Sequence, residues 1–238
     1  RCWQLYQIKD GGLMFDTYIP HYTKLTERKP HIEMELNKLG INDAKFITDF
    51  DGDSLTSEDT TNYITEFDYF HVAVEPSVRK LGIDRIEQTT LKNSEISLIL
   101  KHFQAIDLFL SSESDHALIL EDDVNFHYNI SMQQVIDEAP DFDVLFLGGP
   151  LNIDFFNVKE IYRNYFRAGH PSTNTTSSIV YSRPTAEKLS KLYDMMGFCL
   201  PLDWQLNYFF EKLDMSVWHC YPKLCGQLSG TEFRSSIQ

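Results

Sequence analysis

The run Ala117-Leu118-Ile119-Leu120-Glu121-Asp122-Asp123-Val124 constrains the fold more than any other stretch. Four apolar residues lead straight into three carboxylates. A short apolar run of this kind reads as a buried strand. Unpaired buried charge is very costly, so the acids cannot follow the strand into a core. A strand that stops at the carboxyl edge of a sheet, with its acids facing a cleft, satisfies both halves. Open α/β sheets place ligands at that edge. Clustered carboxylates suit hard divalent cations such as Mg²⁺ or Mn²⁺, which in turn hold phosphate oxygens. A solvated acidic turn is the plain alternative, and the apolar lead-in favours the metal site.

The 238 residues predict one domain, or one domain with a small appendage, and 42% hydrophobic content is enough for a sizeable core. The formal charge is −14, from 35 acids against 21 bases. That argues against a nucleic-acid backbone as partner, because such proteins carry basic patches. It also argues against an anionic membrane surface. An acidic chain that binds a nucleotide needs a cation or a few local bases to screen the phosphates. Cys2, Cys199, Cys220 and Cys225 are irregularly spaced and form neither a zinc knuckle nor a redox pair. Free thiols in a reducing, cytoplasmic setting are the expectation. Asn129-Ile130-Ser131 and Asn174-Thr175-Thr176 match the glycosylation pattern, which is common by chance. No apolar run reaches membrane-spanning length and no signal peptide opens the chain. The first residue is Arg1, so a secretory-pathway lumen stays open.

In chain order, residues 1–14 carry only a turn signal at Asp10-Gly11-Gly12. Phe15 to Tyr22 reads as a strand. A helix follows from about Thr26 to Leu39, with Ile32, Leu36 and Leu39 on one stripe, Pro30 in its first turn and Gly40 as its stop. Lys45-Phe46-Ile47 begins a second strand, the order in which a parallel sheet starts. Residues 49–63 read as an acidic loop and 64–90 as an irregular excursion. The strongest helical signal runs from Asn93, with Asn93 or Ser94 as cap, to Leu110. Beyond the acids come a short helix opened by Ser131, a strand at Asp143–Leu147 and a long active-site loop or small subdomain at about 151–176. A strand at Ser178–Tyr181, a helix to about Met196 and a helix from Pro201 to about Leu213 follow. Met215–Tyr221 reads as the last strand, with a tail from Pro222.

Several segments together resemble glycosyltransferase family 25, the group of lipooligosaccharide and collagen galactosyltransferases. They are His21 to Lys29 with the helix to Ile41, Phe46 to Leu55 with Asp51-Gly52, and Ser94-Glu95-Ile96 with His102. Leu118 to Val124, Leu147-Gly148-Gly149, Pro201-Leu202-Asp203-Trp204 and Tyr221-Pro222 to Gln227 follow in the family's order. The set spans about residues 18–238, and the acidic signature is its most specific part. Three positions depart from the family pattern. Lys101 stands where a Ser precedes the helix His, Ser94 replaces a Gly, and Lys24-Leu25 replace a basic pair.

The resemblance implies a single GT-A-type domain over 1–238, a Rossmann-like, mostly parallel sheet with helices on both faces. It implies a UDP-sugar donor, Mn²⁺ or Mg²⁺ on the diphosphate, and a glycan or hydroxylated protein as acceptor. Asp123 is then the leading metal ligand, with Glu121 beside it and His219 completing the shell. Asp122, Arg28, Glu95 and His102 become donor-side residues. Asp203 is the candidate general base for inverting attack by an acceptor hydroxyl. The helix dipole at its position would favour the carboxylate and weaken it as a base. Trp204 is a candidate stacking platform for an acceptor sugar, or a core aromatic. Two other readings compete. One is a non-catalytic, glycan-binding member of the same fold. The other is a phosphohydrolase of the haloacid-dehalogenase kind, suggested by Phe46-Ile47-Thr48-Asp49-Phe50-Asp51-Gly52-Asp53, which lacks a convincing partner Lys.

Overall fold

The computed structural model describes residues 15–64, 90–148, 158–229 and 233. The turn at Asp10-Gly11-Gly12, nearly all of the 64–90 excursion and the start of the 151–176 stretch lie outside the described residues. The strands are β1 (Phe15–Pro20), β2 (Lys45–Ile47), β3 (His116–Leu120), β4 (Val124–Phe126) and β5 (Val144–Phe146). They continue as β6 (Val158–Tyr162), β7 (Tyr165–Ala168), β8 (Ser178–Ser182), β9 (Val217–Cys220) and β10 (Cys225–Gln227). The helices are α1 (Arg28–Lys38), α2 (Asn93–Leu110), α3 (Met132–Glu138), α4 (Arg183–Met196) and α5 (Leu202–Lys212).

Eight strands form one sheet in the order β2-β1-β3-β8-β5-β9-β7-β6. β1 pairs in parallel with β2 and β3, and β5 in parallel with β9. β8 is antiparallel to both β3 and β5, and β7 to both β9 and β6. Following these directions across the sheet, only β8 and β7 run against the rest. The sheet is therefore mostly parallel, as the sequence led us to expect.

Alternation along the strands sorts side chains to the two faces. Ala117 and Ile119 of β3 pack with Ile99, Phe103 and Ile106 of α2, Leu189 of α4 and Phe209 of α5. Leu118 and Leu120 face the other way, onto Ile32 and Leu36 of α1 and Val135 of α3. Helices thus cover both faces. Each fully buried Leu, Ile or Phe in these layers stabilises by about 1.5–3 kcal/mol relative to exposure. No helix among the described residues is long and apolar enough to cross a membrane.

Local chemistry fixes the ends. Gly40 at φ 71° stops α1. Its N–H reaches Asn37 O at 3.1 Å and the Ile41 N–H reaches Leu36 O at 3.0 Å. This is a Schellman ending, available because glycine tolerates the left-handed region. α2 begins after Lys92 rather than at an Asn93 or Ser94 cap. The Glu95 carboxylate accepts the Lys92 backbone N–H at 2.8 Å.

Two expectations are corrected. The 151–176 loop contains the β6–β7 hairpin, turned at Arg163 with φ 49°. Its strand β6 is mostly exposed, so no apolar alternation marks it in the sequence. The segment after Pro222 is not a free tail, since β10 pairs antiparallel with β4, Gln227 opposite Val124.

Candidate active site

β1, β2 and β3 run in parallel, so their carboxyl ends open on one edge of the sheet. Residues following all three ends meet there. They are His21 and Tyr22 after β1, Gly52 and Asp53 after β2, and Glu121 and Asp122 after β3. Together with Asn93, Ser94 and Lys101 of α2 and Arg28 of α1 they line a cavity of about 380 Å³.

Asp122 is 4% exposed and Arg28 3%. A buried carboxylate persists only with charged or hydrogen-bonding partners. Asp122 has two. Arg28 Nη1 donates to its Oδ1 at 2.7 Å, and His21 Nδ1 lies 2.7 Å from its Oδ2. Asp122 therefore serves the cavity by holding Arg28 and His21 in place. His21 escaped the sequence reading as a site residue. Its position directly after an apolar strand, the same signal that marks Glu121 after β3, could have found it.

Asp123 is 1% exposed. Its Oδ2 accepts a hydrogen bond from the Ser229 hydroxyl and lies 3.9 Å from Arg28 Nη1. Its Oδ1 is buried with no hydrogen-bond partner among the described residues. Glu121 accepts from the Thr176 hydroxyl at 2.7 Å and from Gln227 Nε2 at 2.9 Å. The Leu228 N–H also reaches Asp123 O at 3.0 Å. The C-terminal segment therefore clasps the acidic turn, and Gln227, Ser229 and Thr176 join the site. Burial, then the neighbouring Asp123, pushes the Glu121 carboxyl up to about 8, against the opposing Thr176 bond.

A second cavity of about 170 Å³ shares Leu98 and Glu121 with the first and adds Glu95, Asn174, Thr175, Thr176 and Asp203. Asn207 of α5 braces its loop, accepting the Ser172 and Thr173 N–H groups at 2.6 and 3.0 Å and donating to Thr173 O at 2.6 Å. Asp203 lies in the first turn of α5, where its Oδ1 accepts the Trp204 N–H at 2.9 Å. That bond and the helix end favour its carboxylate, but burial outweighs them and raises Asp203 to about 6.

Two residues assigned from the resemblance lie elsewhere. His102, named as a donor-side residue, is 1% exposed in the core. Its Nε2 shares a 3.0 Å hydrogen bond with the Tyr181 hydroxyl, and burial lowers it to about 3. His219, named as a metal ligand, stacks between Phe146 and Phe166 with ring centroids 4.8 and 4.9 Å away. Its Nε2 lies 2.8 Å from Ser172 O, and burial lowers it to about 4. β9 stands three strands from β3, or about 14 Å at the usual strand spacing. His219 therefore cannot share an ion with Asp123. Asp49, the first acid after β2 in the stretch that suggested a phosphohydrolase, is exposed, accepts from Gln104 at 2.7 Å and lines neither cavity.

The sequence profile of glycosyltransferase family 25 (LPS biosynthesis protein) matches residues 14–203. The chain belongs to glycosyltransferase family 25. It is a glycosyltransferase, and its mostly parallel sheet with helices on both faces is the GT-A-type arrangement expected of it. No curated protein matches this family 25 chain by sequence. Among solved structures, a glycosyltransferase involved in glycosylation of the major capsid of PBCV-1 is 14% identical with a TM-score of 0.45, covering 92% of this chain and 94% of that one. A Drosophila beta-1,4-galactosyltransferase 7 mutant in complex with manganese, UDP-Gal and xylobiose is 12% identical with a TM-score of 0.42, covering 91% and 71%. The A197 protein from STIV is 14% identical with a TM-score of 0.40, covering 93% and 97%. These are loose likenesses in overall shape.

Proposed function

We infer that this family 25 enzyme moves a hexose, galactose first among them, from a UDP-sugar to a hydroxyl of a glycan or protein acceptor, with inversion at the anomeric carbon. The observation that carries this reading is the junction of the two cavities at Glu121. The larger has the volume for a nucleotide diphosphate and carries Arg28 and Lys101 in its wall. The smaller holds an acid of suitable basicity, Asp203, together with Glu95, Glu121 and the hydroxyl and amide groups of Thr175, Thr176 and Asn174. A sugar spanning the junction would present its anomeric carbon to an acceptor beside Asp203.

A divalent cation fits the acidic turn. The unpartnered, buried Asp123 Oδ1 is a costly group that a hard cation would satisfy. Among the described residues, no three His, Cys, Asp or Glu side chains are grouped to hold a metal by themselves. Asp123 and Glu121 would hold Mn²⁺ or Mg²⁺, with donor oxygens and water expected to supply the rest, as is usual for Mg²⁺ at phosphates. When bound, the cation supplies charge to offset that of the departing diphosphate.

The chain's own groups do the remaining work. Asp203, ionised above about pH 6, takes the acceptor hydroxyl proton as the hydroxyl oxygen bonds to the anomeric carbon. The anomeric carbon–phosphate oxygen bond breaks and UDP leaves with the electron pair. Arg28, held by Asp122, contributes fixed positive charge at the cavity wall. UDP release from a panel of UDP-hexoses, with neutral glycosides as acceptors and Mn²⁺ present, tests the reading. Turnover is expected for one UDP-hexose, UDP-galactose first. Turnover only with another class of nucleotide sugar, or none with any, would contradict it.

A further inference from the structure

The mechanism leaves one buried cation unexplained. Lys101 is 2% exposed on a helix whose buried side chains are mostly apolar, with Glu95, Ser97 and His102 the other buried polar ones. Lysine is almost never fully buried without partners. Its Nζ donates to Asp51 Oδ1 and to the backbone carbonyl of His21, each at 2.5 Å. These two acceptors follow different strands, β2 and β1.

Asp51 is itself bound on its other oxygen. Its Oδ2 accepts the Thr23 N–H at 3.3 Å and the Thr23 hydroxyl. Burial alone would raise the Asp51 carboxyl, and the bonds from Lys101 and Thr23 outweigh it and hold it below the ordinary value. Asp51 is thus a counter-ion that faces inward. The next residue, Gly52, packs against the start of α2, where an added Cβ would lie 3.0 Å from Asn93 O. Meanwhile the His21 ring, on the residue whose carbonyl Lys101 holds, is bonded to Asp122. One ammonium therefore joins three walls of the larger cavity and reaches the Asp122–Arg28 pair through a single residue.

We propose that Lys101 is a positioning residue of the transferase site, tying the end of β1 and the Asp51-Gly52 turn to α2 and so fixing both the donor cavity's width and the His21 ring that holds Asp122. The proposal rests on the transferase reading for its kinetic consequence and on the bonds alone for its structural one. Lys101 does not touch the reacting atoms in this account.

The test uses three variants of the whole chain, two that remove the Lys101 charge and Lys101→Arg, which keeps it. Lys101→Met leaves the Asp51 charge without its cation, and Lys101→Met/Asp51→Asn removes both charges so that the fold is retained. Backbone hydrogen exchange is read at Thr23, whose N–H meets Asp51 Oδ2, and at Ser54, whose N–H meets Asp51 O at 2.8 Å. Exchange at both amides is expected to rise about tenfold, the worth of one hydrogen bond, while β5 and β8 stay protected. With UDP-galactose and Mn²⁺, KM should rise about tenfold while kcat changes less than about threefold, the pattern of lost binding. Lys101→Arg should restore part of the KM. Unchanged exchange at Thr23 and Ser54 in both variants that remove the charge would overturn the proposal. So would a uniform rise that includes β5 and β8, or a fall in kcat at constant KM. If the unmodified enzyme turns over no UDP-galactose, that failure belongs to the donor assignment, and the exchange experiment alone decides the role of Lys101.

Discussion

Replacing Arg28 by Met should cost this protein much of its stability. Arg28 and Asp122 are both nearly inaccessible and meet at 2.7 Å. With charge centres about 4 Å apart and an effective dielectric near 20, the attraction is about 4 kcal/mol. Folding has already removed both groups from water. Arg28→Met leaves Asp122 buried with only the His21 ring, and with the Asp123 carboxylate as its chain neighbour. Breaking a buried pair from one side costs about 3–5 kcal/mol. For a chain of this size that lowers the melting temperature by about 6–20 °C. Arg28→Met/Asp122→Asn removes both charges and should recover more than half of the loss. Calorimetric or urea unfolding of the three proteins measures this. A loss under about 1 kcal/mol, or a double variant no more stable than Arg28→Met, would refute the claim that Arg28 is what makes Asp122 tolerable.

Further outcomes are expected at three residues. Asp203→Asn should fold normally by circular dichroism and lose about 10²–10⁴-fold in kcat. In the unmodified enzyme kcat/KM should rise to a plateau above about pH 6, the value to which burial raises Asp203. Gly52→Ala places a Cβ 3.0 Å from backbone Asn93 O, so it should destabilise by about 1–3 kcal/mol and weaken donor binding, both measurable by calorimetry. His102 falls from 6.5 to about 3 on folding, so the unfolded chain binds its proton first. Its contribution is intact above pH 6.5 and is lost as pH falls toward 3. Relative to the unmodified protein, His102→Gln should therefore lose about 1.4 kcal/mol less stability per pH unit across that window in urea titrations.

Long, periodic elements were legible because a single pattern determined them. α2 spans Asn93–Leu110 as its three-and-four spacing requires, and β3 ends where its apolar run meets Glu121. The acidic turn was legible for the same reason, since three carboxylates have few places to go. The β6–β7 hairpin was not, because an exposed edge strand has no buried face to write an alternation. Three-residue strands such as β4 and β10 are below any periodic signal, yet their pairing brings Gln227 and Ser229 to the acids. The histidines show the opposite failure. His102 and His219 have metal-ligand chemistry, but what they do is set by Tyr181, Phe146 and Phe166, which lie far away in the chain. Lys101 stood out only as a departure from the family pattern. Its pairing with Asp51 joins residues fifty positions apart, and no local rule encodes it.

A nucleotide sugar and a divalent cation are expected to bind together at the acidic turn. Thermal unfolding with UDP-galactose, with and without Mn²⁺, on the unmodified protein and Asp123→Asn, tests it most directly. Ligand at 100 times its Kd stabilises by about 2.7 kcal/mol, or about 5–11 °C for a chain of this size. A shift of that size is expected only when nucleotide sugar and Mn²⁺ are present together, and it should be lost in Asp123→Asn. A full shift without the metal, or one undiminished in Asp123→Asn, would contradict that expectation.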